Sequence, residues 1–144
     1  MILDAQGIAL ATRCLWSLQE SAPEIEALLF TRVDGLTLTS TLDGGDGTQR
    51  LAAVSTALFL LGEQAAEVWR SGEAMEVQMV LTRAGGSVRY VTIKPVGHQA
   101  ILTAMHSMNE RYRFIKADLD LAALYLRSLL AGDTPPPPVN WQSR

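Results

Sequence analysis

Apolar residues recur along this chain with one period near 3.6 residues and one near 2, and the changes of period mark successive helices and strands. A helical period runs over Asp4–Gln19, with Ile8, Ala11, Leu15 and Leu18 on one side and Asp4 placed as N-cap. Ser21-Ala22-Pro23 ends it, because proline disfavours continuing a helix. Glu24–Val33 reads as a strand around the apolar centre Ala27–Phe30. Asp34-Gly35 is a tight turn, and Leu36–Leu42 alternates as a second strand. The loop Asp43–Gly47 then leads to Thr48, the expected N-cap of a long helix that continues through Arg70 and closes at Ser71-Gly72.

Beyond that helix, Ala74–Thr82 places Met75, Val77, Met79 and Leu81 on one face and Glu76, Gln78 and Thr82 on the other. Ala84-Gly85-Gly86 turns the chain into the β-rich stretch Ser87–Lys94. Pro95-Val96-Gly97 makes the next turn, and His98–His106 is the last strand. Ser107 and Glu110 form an S-x-x-E capping box for a final helix reaching about Ala131. Ile115, Leu119, Ala122, Leu126 and Leu129 form its buried stripe, and Gly132 stops it. The order is α-β-β-α-β-β-β-α. Short connections between strands imply antiparallel pairing, so the expected class is α/β in the α+β sense: a five-stranded antiparallel sheet with helices on both faces. One domain is expected over residues 1–131, followed by a Pro-rich, flexible, unpacked tail over 132–144.

The long helix carries the least ordinary pattern. Its run Leu51–Gly62, LAAVSTALFLLG, is uncharged and bracketed by Arg50 and Glu63. At roughly 100° per residue, Leu51, Val54, Leu58, Leu61, Ala65 and Trp69 form one stripe, the expected seat on the sheet. Phe59 and Leu60 project away from it, onto a face otherwise holding Thr56, Glu63 and Glu67. A helix apolar on most sides is covered on more than one. Leaving Phe59 and Leu60 in water forgoes about 1.5–3 kcal/mol each. A second body is therefore expected to pack on this helix from outside.

Composition narrows the partner. Hydrophobic content of 48% and charged content of 19% suit a soluble globular protein that hides some surface in an oligomer. The net charge of −3 offers no basic footprint, so nucleic acid is not an expected partner. Cys14 stands alone, which excludes an internal disulfide and suits a reducing compartment. The segment Met1–Trp16 has Asp4 before any basic residue and no small-residue cleavage site, so it reads as a mature helix, not a signal peptide. No apolar stretch is read as a membrane span. The expected location is the cytoplasm, without direct membrane insertion.

Chemistry is sparse. The Gly-rich loop Asp43–Gly47 lacks the Lys-Ser/Thr pair of a phosphate loop, and Asp43 and Asp46 repel anions. Gly45 and Gly47 occupy positions where a calcium loop needs side-chain ligands. His98 and His106 lie at opposite ends of one strand, so their rings cannot converge on a metal. Cys14 lies beside Leu10 and Leu18 as a packed thiol, and Asp118 and Asp120 read as solvated charges near a helix start. No catalytic residue, cofactor or metal is expected, and the chain does not read as an enzyme. Pro135–Pro138 with Trp141 has two readings: a polyproline ligand anchored by the indole, or a disordered end, which the general behaviour of termini favours.

Three stretches together resemble the Roadblock/LC7 family, of the prokaryotic small-GTPase-regulator type. The hairpin ALLFTRVDGLTLTS (Ala27–Ser40) is similar to the family's opening strand pair. QRLAAVSTALFLLGEQAAEVW (Gln49–Trp69) is similar to its small-residue-rich second helix, and VRYVTIKPVGHQAILTAMHS (Val88–Ser107) to its fourth and fifth strands. The similarity spans roughly Ala5 to Ala131. It implies a homodimer in which second helices pack side by side and third strands join two sheets. The dimer interface is then expected at Ala53, Thr56, Leu60, Glu76 and Gln78. An unpaired alternating edge strand is a liability that such a two-fold dimer removes.

The same resemblance implies a Ras-like small GTPase as partner, with GTPase activation among the activities it allows. The surface expected to meet that partner comprises Arg50, Phe59, Glu63, Glu67 and Arg70, which flank the helix seam. No arginine is assigned as a catalytic finger. The alternative is a nucleotide-independent scaffold or adaptor dimer for a signalling, motility or motor complex. A small-ligand sensor is a third reading, since helices over an antiparallel sheet can enclose a pocket.

Overall fold

A computed structural model describes residues 3–144. Its elements are α1 (Ala5–Ser21), β1 (Ile25–Arg32), β2 (Thr37–Ser40), α2 (Asp46–Val68), β3 (Val77–Thr82), β4 (Val88–Val96), β5 (Ala100–His106) and α3 (Tyr112–Leu130). The strands form one antiparallel sheet in the order β2-β1-β5-β4-β3. Successive residues of a strand point to opposite faces, and two cores result. Leu28, Phe30, Leu102 and Ala104 pack under α1 and α3 with Leu15, Leu18, Ile115, Leu119 and Leu126. Val91, Ile93 and Ile101 point the other way and meet Phe59 of α2. One face thus carries two helices and the other a single one.

Local chemistry explains most boundaries. The Asp4 carboxylate accepts from the Gly7 amide at 2.7 Å and caps α1. Gly35, at φ +92°, lets the β1–β2 turn close. Three expected boundaries shift. Thr48 does not cap α2: the helix starts at Asp46 behind Gly45, and the Thr48 hydroxyl donates to the Asp43 carbonyl. Pro95 and Val96 belong to β4, not to a turn. Pro95 opposes Ile101 of β5 beyond the last β3 pairing, Val77 with Ile93, so that on the β3 side no strand requires a ladder N–H. The Ser107–Glu110 capping box does not form, because the Ser107 amide donates to the Glu24 carbonyl beside β1 and α3 begins only at Tyr112.

Both long helices end in the Schellman pattern. At α3 the Gly132 and Asp133 amides return to the Leu129 and Ser128 carbonyls, with Gly132 at φ +89°. At α2 the same two bonds run from Arg70 to Glu67 and from Ser71 to Ala66, but the left-handed position is Arg70, at φ +56°. Arg70, not Ser71-Gly72, therefore closes α2.

The segment after α3 also differs from expectation. Residues 133–140 form no helix or strand, yet Trp141 and Ser143 are buried between α1 and α3. Asp118, expected in solvent, is fully buried beneath them. By length and composition alone α2 is also long and apolar enough to cross a membrane, contrary to the sequence reading; in this fold one side of it seats on the sheet.

Candidate partner-binding face of the central helix

The side of α2 that meets the sheet is built from small residues. Thr48, Ala52, Ser55, Thr56 and Phe59 are its buried positions. Close approach requires this: a Cβ added to Gly62 would stand 2.5 Å from Val77 Cγ2. Phe59 is the one large knob, 6% exposed against Val91, Ile93 and Ile101. The helix is thus rotated by roughly a third of a turn from the seat its largest residues suggested. Leu58 packs partly against the same cluster, but most of the large aliphatics face out. Val54, Leu60 and Leu61 are exposed, with Val68 80% and Trp69 81% exposed at the helix end.

This rotation corrects two assignments. Thr56 cannot meet a second copy, because it is buried on the sheet side and its hydroxyl donates to the Ala52 carbonyl at 2.9 Å. Phe59 cannot meet a GTPase from that position and serves the fold. Ala53 and Leu60 remain on the outer face, where Ala53, Ala57, Leu60, Leu61, Gln64 and Val68 share one stripe at helical spacing. Val54, Leu61, Val68 and Trp69 were not assigned to any interface from sequence. The signal for them was the width of the apolar arc, which exceeds what one sheet can cover.

The outward face ends in an open trough of about 690 Å³ lined by Leu60, Glu63, Gln64, Ala66, Glu67, Arg70 and Gly72. It brings together three of the five expected partner residues. Glu63 and Glu67 are one helical turn apart, a like-charge spacing that disfavours the helix by a few tenths of a kcal/mol. They also lie in the half of α2 where the macrodipole prefers cations, and no cation pairs with them among the described residues. The trough is acidic, mixed in its polar and apolar lining, and locally unfavourable. Arg50 stands apart near the other end of α2, exposed and paired with Asp46 at 3.3 Å.

Beside this face, β3 is an edge strand with Val80 and Leu81 exposed. Polar side chains in β3 and just before it are engaged on the α3 side of the sheet. Glu76 pairs with Lys94 at 3.0 Å, and Lys94 also reaches Asp120 at 2.7 Å. Burial alone would lower the Lys94 pKa, but the bonds to Asp120 and Glu76 outweigh it and hold the ammonium above its ordinary value. Gln78 donates to Thr92 at 3.0 Å and to the Tyr112 hydroxyl at 3.2 Å. Any pairing along β3 therefore uses its backbone edge, not the Glu76 and Gln78 side chains.

Of the two histidines, His98 is exposed and His106 is buried at the far end of β5. Among the described residues no group of three His, Cys, Asp or Glu side chains could hold a metal. Cys14 is buried, which pushes its thiol up to about 12.

A sheet of this order, with α1 and α3 on one face and a lone small-residue helix on the other, has the Roadblock/LC7 fold. Solved structures of that fold match nearly the whole chain. A Roadblock/LC7 domain from Streptomyces avermitilis is 18% identical, with 83% of this chain and 97% of that one covered at a TM-score of 0.72. MglB from Myxococcus xanthus is 10% identical, covering 94% and 98%, at 0.77. The gliding protein MglB from Thermus thermophilus is 12% identical, covering 92% and 96%, at 0.76. No protein-family model matches the chain, and no curated protein does.

Proposed function

We propose that this protein is a homodimeric, non-catalytic cytoplasmic partner of a Ras-like small GTPase, regulating it through the surface formed by paired α2 helices. One observation carries the reading: a Roadblock/LC7 fold turns the large apolar residues of its lone helix outward, next to an open strand edge and an unneutralised acidic pair. The apolar stripe suits a second copy. Glu63 and Glu67 suit a basic partner patch, where charge complementarity sets encounter rate and specificity. With no arginine assigned as a catalytic finger, GTPase activation would come from ordering the partner's own machinery.

The reading is tested by measuring binding to the Ras-like GTPases of the same organism, each loaded with GDP or with a non-hydrolysable GTP analogue. Preference for one nucleotide state is expected, with binding at least tenfold weaker in Glu63→Lys/Glu67→Lys. Absence of binding in both states overturns the GTPase reading. Equal binding in both states supports the scaffold reading instead.

A further inference from the structure

We propose that the groove between α1 and α3 is a peptide-docking site for a Trp-x-Ser segment, filled here by the chain's own Trp141–Ser143, with Asp118 as the selecting residue. It lies on the opposite face of the sheet from α2 and does not depend on the GTPase reading. The apolar half of the site is the core itself. Trp141 is 4% exposed and belongs to the same cluster as Leu15, Leu18, Ile115, Leu119 and Leu126. Its indole N–H donates to Ser17 Oγ of α1 at 2.8 Å, so both the body and the polar tip of the ring are satisfied.

The polar half reads the backbone. Asp118 lies in the second turn of α3 and is fully buried, yet among the described residues every hydrogen bond to its carboxylate comes from the segment. Oδ1 accepts from the Gln142 amide at 2.6 Å. Oδ2 accepts from the Ser143 amide at 2.8 Å and from the Ser143 hydroxyl. No salt bridge reaches Asp118 among the described residues. Donors to an ionised carboxylate make strong bonds, and burying one without donors is costly. Arg111 closes the far side: its guanidinium donates to the Ser143 carbonyl and stands 3.5 Å from the buried Glu24 carboxylate. Ser21 Oγ lies 3.2 Å from Ser143 Oγ. Groups from α1, α3 and the turn before α3 therefore converge on one tripeptide. An apolar anchor beside a fixed set of backbone-reading groups is how peptide grooves obtain affinity and register.

The proline run fits the role of a return strut. Asp118 lies about 18 Å back along α3 from the helix end, at 1.5 Å per residue. Residues 133–140 reach about 25 Å when extended as polyproline. The strut is long enough with little slack. Proline carries no N–H to leave unpaired, and its fixed φ lowers the entropy lost on docking. Tethering also raises the local concentration of the segment to the millimolar range, so a modest intrinsic affinity keeps the groove filled.

The test uses the full chain. Trp141→Ala/Ser143→Ala vacates the groove, and a fluorescein-labelled peptide with the sequence of residues 135–144, PPPPVNWQSR, is titrated against it by fluorescence anisotropy. Saturable binding is expected, at least tenfold tighter than to the wild-type chain, whose own segment competes. Adding Asp118→Asn to the vacated variant is expected to weaken binding at least tenfold, since the amide nitrogen cannot accept. A vacated variant with wild-type circular dichroism that fails to bind overturns the proposal, and so does binding indifferent to Asp118→Asn. Should the vacated variant not fold, Trp16→Phe/Trp69→Phe leaves Trp141 as sole reporter. Its emission is then expected to be shielded from acrylamide and to lose that shielding on Asp118→Asn; free quenching in the folded chain overturns the proposal.

Discussion

Phe59 and Leu60 are adjacent in sequence, comparable in hydrophobicity, and opposite in role. A helical step of about 100° puts Phe59 on the sheet at 6% exposure and leaves Leu60 at 47%. Phe59→Ala is expected to cost about 3–5 kcal/mol in denaturant unfolding, the range for deleting a buried aromatic ring. Leu60→Ala, an exposed truncation, is expected to stay within about 0.5 kcal/mol at monomer level. Which of the two faces the sheet was not legible in the sequence. Periodicity fixes their relative angle but not the direction of the core, and ranking faces by side-chain size selected the wrong one. The small-residue side wins because Gly62, Ala52 and Ser55 permit a close approach, with Leu58 only partly buried at the flank of the contact.

His106 is the other residue with a measurable signature. Its ring lies between Tyr90 and Tyr112, with centroids 5.9 and 5.4 Å away. Nδ1 donates to the Ser107 carbonyl at 2.9 Å, since a carbonyl can only accept. Nε2 is left to accept from the Thr92 hydroxyl at 2.8 Å, and Thr92 accepts in turn from Gln78. The neutral ring fits this chain of donors. Burial pushes its pKa below 6.5, and the Ser107 bond and the Glu76 charge recover only part of the shift. A lowered folded-state pKa means that its stabilisation is complete above about pH 6.5 and is lost as pH falls through the folded value. Wild-type Tm is therefore expected to fall more steeply than that of His106→Gln between pH 7 and pH 5, measured by thermal unfolding in matched buffers. Identical slopes would contradict the neutral-ring account.

At the scale of elements, α2 stops on a strained residue. A left-handed non-glycine position costs roughly 1–2 kcal/mol, and the other long helix uses Gly132 at the equivalent place. Arg70→Gly is expected to stabilise the chain by about 1 kcal/mol in thermal unfolding. It is also expected to strengthen binding of a GTPase with a basic patch, because it removes a cation from the trough that Arg70 lines with Glu63 and Glu67. A stabilised variant with unchanged binding would place Arg70 outside the partner surface. Elements with purely local signals were readable: the Asp4 cap, the Asp34-Gly35 hairpin, the Gly85-Gly86 turn and the Gly132 stop. Signals that competed with the sheet were not. Ser107 has the right spacing for a capping box, but its amide is taken by Glu24. Pro95 reads as a breaker, but it stands where β4 no longer has β3 beside it.

For the whole molecule, the order of elements and the five-stranded sheet were legible because each helix and strand carries its own period. The docking of Trp141 was not, since nothing local in a proline-rich segment says that a buried carboxylate waits about 18 Å back along a helix. Among the described residues, the outward stripe of α2 and the edge of β3 lie side by side without a covering element. Each large side chain of the stripe returns about 1.5–3 kcal/mol when buried, against roughly 4–15 kcal/mol for association. Several such side chains are needed together with strand pairing, and a two-fold dimer supplies both in one interface. Sedimentation equilibrium of wild type and Leu60→Glu at high protein concentration tests this directly. The expected result is a dimeric wild type and a folded, monomeric Leu60→Glu; a wild type that sediments as a monomer, or a Leu60→Glu variant that stays dimeric, contradicts it.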